Sequence, residues 1–318
     1  MKKIIILLGP TGVGKTSASI LLAKELSSKI ISSDSMQIYR HMDIGTAKPS
    51  TEERQAIQHH MIDIAEPWES YSTGEYIEEV QPIISTIHQQ GKVPIVVGGT
   101  GLYIKAMTRG IFNGPSADWE LRNELLGKEA AKKGFLFEYL KSLDPLIASK
   151  TGPADIRRIV RALEVCLKGD RTMSESHKSL TQPLPYEFIK IGITRDRKEL
   201  YSMIEERVDK MIEQGLVEEV SEVLELINSS LTLKRLLLAT HHSSLSSMQA
   251  IGYKEIAMHL SGEINLEEAI RLVKQRSRNY AKRQFTWFRK EEGIQWFDLT
   301  GIHDPHEIFQ KVIQFIKA

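Results

Sequence analysis

Five apolar runs divide the chain at intervals that suit buried strands. They lie at residues 4–8, 30–31, 93–97, 188–193 and 294–299. Between them apolar residues recur at helical spacing, as over 199–214, where Gly215 then gives a stop signal. Short apolar runs separated by helical stretches are typical of parallel strands covered by helices. The pattern predicts an α/β fold with a parallel sheet flanked by helices, whose last run returns as an edge strand before a final helix.

The region from 114 to 152 carries many charges and a helical pattern without a strand. A length of 318 residues suggests about two domains. We therefore expect an inserted, mostly helical domain and a second helical region before the chain returns to the sheet. The expected parts are a core over 1–115, a helical insertion over 116–150, core again over 151–200, a helical region over 201–281 and a C-terminal return over 282–318.

A phosphate-binding sequence follows the first run directly. Residues 9–16 fit the pattern G-x-x-x-x-G-K-[ST] at every fixed position. Its glycines allow backbone N–H groups to face inward, and the next helix points its positive end at the same place. Lys15 suits distal phosphate oxygens and the Thr16 hydroxyl suits Mg²⁺. The motif predicts a P-loop NTPase-like sheet that binds a phosphorylated ligand through Gly9, Pro10, Thr11, Gly12, Val13, Gly14, Lys15 and Thr16.

The acidic partner that P-loop NTPases usually carry on another strand is missing from the run at 93–97. That run ends in Gly98-Gly99-Thr100-Gly101, which weakens the case for nucleotide hydrolysis. Asp34 follows the run at 30–31, and carboxyl ends of parallel strands gather at one crevice. Asp34 would there act as a base or support Mg²⁺. An aspartate among serines is equally ordinary turn chemistry, and spacing alone leaves both interpretations open.

Two basic clusters suggest a polyanionic partner. The first contains Arg157, Arg158 and Arg161. The second has no acid between its members, which are Arg271, Lys274, Arg276, Arg278, Lys282, Arg283, Arg289 and Lys290. On a helix, Tyr280, Gln284 and Trp287 share another face of this segment. Cations suit phosphates and aromatic rings stack on unpaired bases, although a solvated charged face with its aromatics in the core is the alternative.

Composition and charge restrict the kinds of protein and of binding site that this chain can have. The net charge of +1 limits any nucleic-acid surface to local patches. The single cysteine, Cys166, excludes an internal disulfide and a multi-cysteine zinc site. No apolar run approaches the ~18 residues of a membrane helix, and the first run is too short for a signal peptide. We therefore expect a cytoplasmic protein that contacts no membrane, and we predict no protein partner.

Together these motifs resemble one family, the tRNA dimethylallyltransferases, and in particular the bacterial isopentenyl-tRNA transferases. The resemblance spans residues 9–289 in the family's order, and the combination is far more specific than the P-loop alone. The matching segments are Gly9 to Thr16, Asp34 to Arg40, Met42 to Pro49, His59 to Asp63, Gly98 to Tyr103, Arg157 to Glu164, Ala250 to Glu255 and Lys282 to Arg289. One stretch departs from the family pattern, Leu226 to Met248.

The resemblance implies transfer of a dimethylallyl group from dimethylallyl diphosphate to N6 of adenosine 37 beside the tRNA anticodon, with Mg²⁺ as cofactor. It implies that Asp34 is the general base, that Thr100 lies near the reacting amine and that Arg207 reaches the diphosphate. Thr16 would ligate the metal. The residues implied to contact tRNA are Asp34, Ser35, Met36, Gln37, Arg157, Arg158, Ile159, Val160, Arg161, Lys282, Arg283, Gln284, Trp287 and Arg289.

Two other functions compete with this one. A P-loop small-molecule kinase with a helical lid explains the loop and gives Asp34 an acceptor hydroxyl to orient, but leaves the basic and aromatic segment unexplained. A non-catalytic RNA-binding P-loop switch leaves Asp34 without a role.

Overall fold

The computed structural model describes residues 1–112, 114–179, 181–234 and 245–317. Six strands are present in these ranges: β1 Lys3–Leu8, β2 Ile30–Ser33, β3 His59–His60, β4 Ile95–Gly98, β5 Glu187–Thr194 and β6 Ile294–Asp298. They form one sheet in the order β3-β2-β4-β1-β5-β6, and every pairing is parallel. The predicted parallel sheet flanked by helices is confirmed.

Fourteen α-helices occur in the same ranges. They are α1 Lys15–Glu25, α2 Thr51–Ala56, α3 Thr73–Gln89, α4 Gly101–Arg109, α5 Trp119–Ala131, α6 Phe135–Leu143, α7 Pro145–Ala148, α8 Ile156–Lys168, α9 Met173–Ser179, α10 Arg197–Glu213, α11 Leu216–Lys234, α12 Tyr253–Leu260, α13 Leu266–Phe288 and α14 Pro305–Lys317. Local sequence fixes several of their starts. Asn265, for example, caps α13 by accepting the Glu268 N–H at 2.8 Å.

Strand β1 is central because its residues 4–8 are apolar and fully enclosed. Its neighbours β4 and β5 lie on either side, and β2 pairs with the far edge of β4. The register sets Leu8 of β1 and Ser33 of β2 both opposite Gly98 of β4. The chain therefore leaves three adjacent strands at the same level of the sheet.

The strands begin or end within one or two residues of the predicted runs, and one strand was not predicted. β4 begins after Pro94, whose carbonyl accepts the Ile5 N–H at 3.0 Å but which has no N–H of its own to donate. The two-residue edge strand β3 was not predicted, because His59 and His60 give no apolar run. β6 is the edge strand that was expected, followed by α14.

The compact units differ from the expected domain boundaries. One unit comprises Met1–Ile104 together with the chain from Pro185 onward, and the other comprises Lys105–Leu184. Residues 151–184, which we expected in the core, belong to the helical unit because α8 packs its apolar face on α6 through Ile159, Leu163 and Leu140. Helix α13 also runs through the expected boundary between 281 and 282 without a break.

Within the larger unit, helices α10 to α13 share a second apolar core with residues 36–71. Cys166, in the helical unit, is only partly buried. In the described ranges no helix is both long and apolar enough to cross a bilayer. Part of the divergent stretch from Leu226 to Met248, residues 235–244, lies outside the described residues and includes the histidine pair at 241–242.

One carboxylate ties the second core to the loop after β2. Glu219 of α11 accepts the N–H groups of Asp43 at 2.9 Å and Ile44 at 2.7 Å through Oε2. Its Oε1 accepts the Gly45 N–H at 3.1 Å and the Tyr253 hydroxyl. A side chain at position 45 would collide with the Tyr253 ring. The nearest ring atom lies 2.5 Å from the place that a Cβ at this position would occupy. Two sequence motifs, at 42–49 and 250–255, therefore meet at this carboxylate.

We predict that Glu219→Gln lowers the free energy of unfolding by about 1–3 kcal/mol, since an amide NH₂ cannot accept the backbone N–H groups that a carboxylate oxygen accepts here. Urea denaturation measures the change. Tyr253→Phe is the partner variant, and a double-mutant cycle should give a coupling energy clearly above zero. Additive losses would show that the two side chains act independently.

Candidate active site

The loop at 9–16 has the backbone that its glycines permit. Gly12 and Gly14 have φ of 80° and 101°, in the left-handed region that favours glycine. Val13 is fully buried and packs in the apolar core formed with residues of the sheet. Gly14 is the N-cap of α1, so Lys15 and Thr16 stand in the first turn of that helix, where its positive end lies.

The Lys15 ammonium lies across its own loop. Nζ donates to the carbonyl oxygens of Gly9 at 3.0 Å and Pro10 at 2.7 Å. Burial lowers the pKa of Lys15 to about 7; the Asp34 carboxylate acts to raise it and the Arg207 guanidinium to lower it. Two cationic side chains and one carboxylate thus share one small region.

Asp34, directly after β2, makes the turn contact that the sequence allowed and also lies near the charged groups of the P-loop. Its Oδ1 accepts the Met36 N–H at 2.9 Å, which is the turn contact. Its charge also acts on Lys15, Arg207 and Tyr280, which places the carboxylate among the groups around the P-loop. The turn fixes the side chain, and the parallel sheet brings it to the loop.

Thr100, in the turn after β4, links this carboxylate segment to α13. Its Oγ1 accepts the Ser35 N–H at 3.0 Å, and its own N–H donates to the Ser33 carbonyl at 3.1 Å. The Tyr280 hydroxyl hydrogen-bonds the Thr100 side chain. Burial raises the pKa of Tyr280, and the Asp34 carboxylate acts in the same direction, so this phenol stays protonated.

Arg207 of α10 lies beside the P-loop. Its Nη1 is 3.5 Å from Thr11 Oγ1. Burial lowers the pKa of this guanidinium and the Asp34 carboxylate opposes the shift. An arginine remains charged under such conditions, so the side chain is a fixed positive charge facing the loop.

A second arginine supports the loop from the side of the core. Arg195 follows β5 and is buried. Its guanidinium donates to the carbonyl oxygens of Val13 at 3.2 Å, Leu299 at 2.6 Å and Ile302 at 2.5 Å, and to Glu199 at 2.5 Å. The P-loop is thereby joined to the segment that follows β6.

The three residues after Asp34 have different surroundings. Ser35 bonds Thr100, and Met36 packs against the second core. Gln37 Nε2 donates to the carbonyl oxygens of Thr46 at 3.3 Å and Ala47 at 3.2 Å, while its Oε1 accepts from a serine hydroxyl of β2. The Gln37 amide is therefore held in place by the protein itself.

Much of the basic segment on α13 is paired with acids from elsewhere in the chain. Arg271 bonds Glu268 at 2.6 and 2.7 Å, and Lys274 bonds Asp209 at 2.6 Å. Arg276 and Arg278 pair with Glu255 and Glu205. The segment lacks acids in sequence but not in space, so Arg278 has a protein partner in place of the phosphate contact that its sequence position suggests.

The remaining candidates at the end of α13 divide between surface and interior. Lys282, Arg283 and Arg289 are exposed, and the Arg283 guanidinium lies over the Tyr280 ring at 5.5 Å from its centroid. Trp287 is 37 % exposed and packs on the Gly101 backbone. Gln284 is only 5 % exposed, so the expectation that it reads tRNA from the surface is replaced by the internal contacts described below.

The candidates on α8 divide in the same way. Arg157 and Arg158 are exposed, and Arg158 pairs with Asp155 at 3.3 Å. Arg161 donates to the Pro115 carbonyl at 2.9 Å. Ile159 and Val160 are buried in the core of the helical unit, so their side chains cannot form the surface contacts implied for this stretch.

Comparisons with known proteins show which family the chain belongs to. The family model described as IPP transferase matches residues 37–291. A tRNA dimethylallyltransferase from Thermodesulfovibrio yellowstonii is 58% identical over 98% of this chain and 96% of its own length. The chain belongs to the IPP transferase family.

Solved structures of the family agree with this fold. The full-length tRNA isopentenylpyrophosphate transferase from Bacillus halodurans is 38% identical, with a TM-score of 0.71 over 100% of this chain and 96% of that chain. A eukaryotic dimethylallyltransferase acting on tRNA is 29% identical, with a TM-score of 0.81 over 100% of this chain and 80% of its own.

The sequence placed Tyr280 on one face of the basic segment but not in the P-loop site, and it did not single out Arg195. Tyr280 precedes Gln284 by one helical turn, and the helical pattern shows only that they share a face. Arg195 directly follows β5, as Asp34 follows β2. Its place at the carboxyl end of a predicted strand was the available signal.

We predict that binding of pyrophosphate with Mg²⁺ takes up a proton at pH 8. A pKa of about 7 leaves Lys15 mostly neutral at that pH, and a bound anion would favour its charged form. The uptake should shrink towards pH 6, where the free protein already carries the proton. Calorimetry in buffers of different ionisation enthalpy measures it.

Lys15→Arg is the matched control, because arginine is charged throughout this range. The variant should lack the Lys15 part of the proton uptake while still binding pyrophosphate. Equal uptake by wild type and variant would show that Lys15 does not titrate on binding.

Proposed function

We propose that this chain transfers the dimethylallyl group of dimethylallyl diphosphate to N6 of adenosine 37 in tRNA and releases diphosphate. The observation that carries the proposal is the meeting of the P-loop, Asp34 and Thr100 at one edge of the sheet in a member of the IPP transferase family. Relatives of this family are named for the same transfer to tRNA. A cytoplasmic location follows from a tRNA substrate.

On the donor side, the leaving group needs stabilisation of negative charge as its C–O bond breaks. The loop amides and the helix N-terminus face the diphosphate in this proposal, with Lys15 and Arg207 supplying positive charge. Supporting this arrangement, Arg207 lies 3.5 Å from Thr11, and Lys15 lies along the loop carbonyls.

Thr16, in the first turn of α1, offers one hydroxyl oxygen to a metal ion. Mg²⁺ commonly takes one or two protein oxygens together with substrate phosphates and water. The described residues contain no group of three or more His, Cys, Asp or Glu side chains arranged for a metal. We propose that Thr16 holds Mg²⁺ with the diphosphate, where the ion would neutralise phosphate charge.

On the acceptor side, the N6 amine must lose a proton as its new N–C bond forms. We assign this proton to Asp34, whose Oδ1 is held by the Met36 N–H at 2.9 Å. Thr100 and Tyr280 lie next to the same carboxylate and would orient the amine. The adenine would be displaced from its stack to reach this depth, as other base-modifying enzymes require.

The proposed tRNA contacts are the exposed cations and the surface ring among the earlier candidates. On the helical unit they are Arg157 and Arg158, with Arg161 partly used by Pro115. On α13 they are Lys282, Arg283, Arg289 and Trp287. Ser35 and Met36 line the segment proposed to meet the adenine. Gln37 would fix the shape of this segment, since its amide bonds Thr46 and Ala47.

The kinase alternative is not favoured. The turn after β4 carries glycines and Thr100 where a nucleotide-hydrolysing relative would carry an acid. The named relatives are transferases that act on tRNA.

The deciding experiment incubates modification-free tRNA with the protein, Mg²⁺ and either dimethylallyl diphosphate or ATP, followed by nucleoside analysis. Dimethylallyladenosine should form with the first donor alone and only when position 37 is adenosine. A phosphorylated product, or no change in the tRNA, would reject the proposed function.

We predict that Asp34→Asn lowers the turnover number by about 10²–10⁴-fold, which is the usual loss on removing a general base. Pyrophosphate should still bind, because Lys15, Arg207 and the loop amides remain in place. Single-turnover transfer at saturating tRNA measures the first effect. Asp170→Asn, at an exposed carboxylate of the helical unit, is the matched control. Near wild-type turnover in Asp34→Asn would remove this residue from the mechanism.

We predict that the double variant Lys282→Gln, Arg283→Gln weakens tRNA binding with donor affinity unchanged, because both side chains are exposed cations. Each lost phosphate contact should flatten the slope of log affinity against log salt by about one unit or less. Filter binding at several salt concentrations measures it. The control is Arg271→Gln on the same helix, whose guanidinium is already paired with Glu268. An unchanged salt slope in the double variant would show that this face is only solvated.

A further inference from the structure

Gln284 is a polar side chain on the inward face of α13, directly after the exposed Lys282 and Arg283. Only 5 % of it is exposed. Its Oε1 accepts the Thr11 N–H at 2.8 Å, and its Nε2 donates to the Gly99 carbonyl at 2.9 Å. The amide also hydrogen-bonds the Tyr280 hydroxyl. One side chain therefore connects the P-loop to the glycine turn after β4.

The two glycines of that turn are what admit α13. A Cβ at position 99 would lie 2.2 Å from Gln284 Nε2, and a Cβ at position 101 would lie 2.3 Å from Trp287 Cδ1. Both separations are far below van der Waals contact. The glycines thus have a packing role: they let the helix approach until Gln284 reaches Thr11.

The contact requires an amide. The carboxamides of asparagine and glutamine present an acceptor and a donor side by side on one planar group, and glutamine has the longer reach. A carboxylate at this position would face the Gly99 carbonyl without a proton to donate and would add negative charge beside the loop. The Thr11 N–H is only partly buried, and Gln284 is the hydrogen-bond partner that it has in this loop.

We propose that Gln284 is a positioning residue of the diphosphate-binding loop, holding the Thr11 amide so that the loop keeps the curvature that receives phosphate. This rests on the proposed function only in taking the loop as the diphosphate site. This role differs from a tRNA contact, because the side-chain amide of Gln284 is already hydrogen-bonded to Thr11 and Gly99. Gln284 acts on the donor through the loop and does not touch the reacting atoms.

The test compares Gln284→Leu and Gln284→Glu with wild type. Pyrophosphate and dimethylallyl diphosphate, each with Mg²⁺, are the probes, and calorimetry gives their dissociation constants. Both variants should bind these probes about tenfold more weakly, which corresponds to 1.4 kcal/mol. The donor KM should rise in parallel, while kcat at saturating donor and the tRNA dissociation constant stay within twofold of wild type. Gln284→Met, which is uncharged and of similar length, decides the result if the leucine variant does not fold, because the charge of Gln284→Glu would by itself weaken binding of an anion.

The control with the opposite expected outcome is Lys282→Gln, two residues away on the exposed face of the same helix. It should weaken tRNA binding and leave both diphosphate probes unaffected. Gln284 variants that bind the probes as wild type does, or that lose tRNA affinity with donor affinity unchanged, would overturn the inference. A wild-type protein that bound neither probe would overturn the donor site itself and the inference with it. A wild type that binds both probes but transfers nothing to tRNA would reject the proposed function and leave the Gln284 comparison valid.

Discussion

The parallel pairing of β2 and β1 with the two edges of β4 is the constraint on which the site depends. Because Leu8 and Ser33 both lie opposite Gly98, the P-loop, Asp34 and Thr100 each begin just past the same level of the sheet. No side chain needs a long reach to join the others. A slip of one residue in either pairing would move every side chain of that strand to the other face of the sheet.

The electrostatics of the site follow from that crowding. Lys15 and Arg207 would repel each other in a poorly solvated region, and Asp34 offsets part of this cost. The arrangement leaves an excess of positive potential facing the loop, which suits a ligand with several negative charges. The same carboxylate is therefore an electrostatic partner of the donor site and a candidate base for the acceptor.

How far the sequence predicts this structure depends on the distance over which each contact acts. The P-loop and the place of Asp34 follow from strand order, since both sit directly after apolar runs. The helical pattern also puts Tyr280, Gln284 and Trp287 correctly on one face. It does not show which surface that face meets, and the tRNA contact expected of Gln284 came from the family resemblance alone. Likewise, the basic run on α13 contains no acid, so the sequence does not show that its members form ion pairs. Their partners Glu205 and Asp209 lie on α10, and Glu255 lies on α12. Local patterns carry no information on partners so remote.

The contacts of Arg195 and Gln284 also bear on how the protein is made. Thr11 and Gln284 are 273 residues apart, and Arg195 joins Val13 to a carbonyl at position 302. Contacts of such large sequence separation form late, because long segments must first be closed into loops. During synthesis the loop at residues 9–16 is among the earliest parts to leave the ribosome, yet its last supports emerge almost 300 residues later. A nascent chain would thus carry the phosphate-binding sequence for most of its synthesis without holding it in its final shape, and phosphate-binding ability would arise only as translation nears its end.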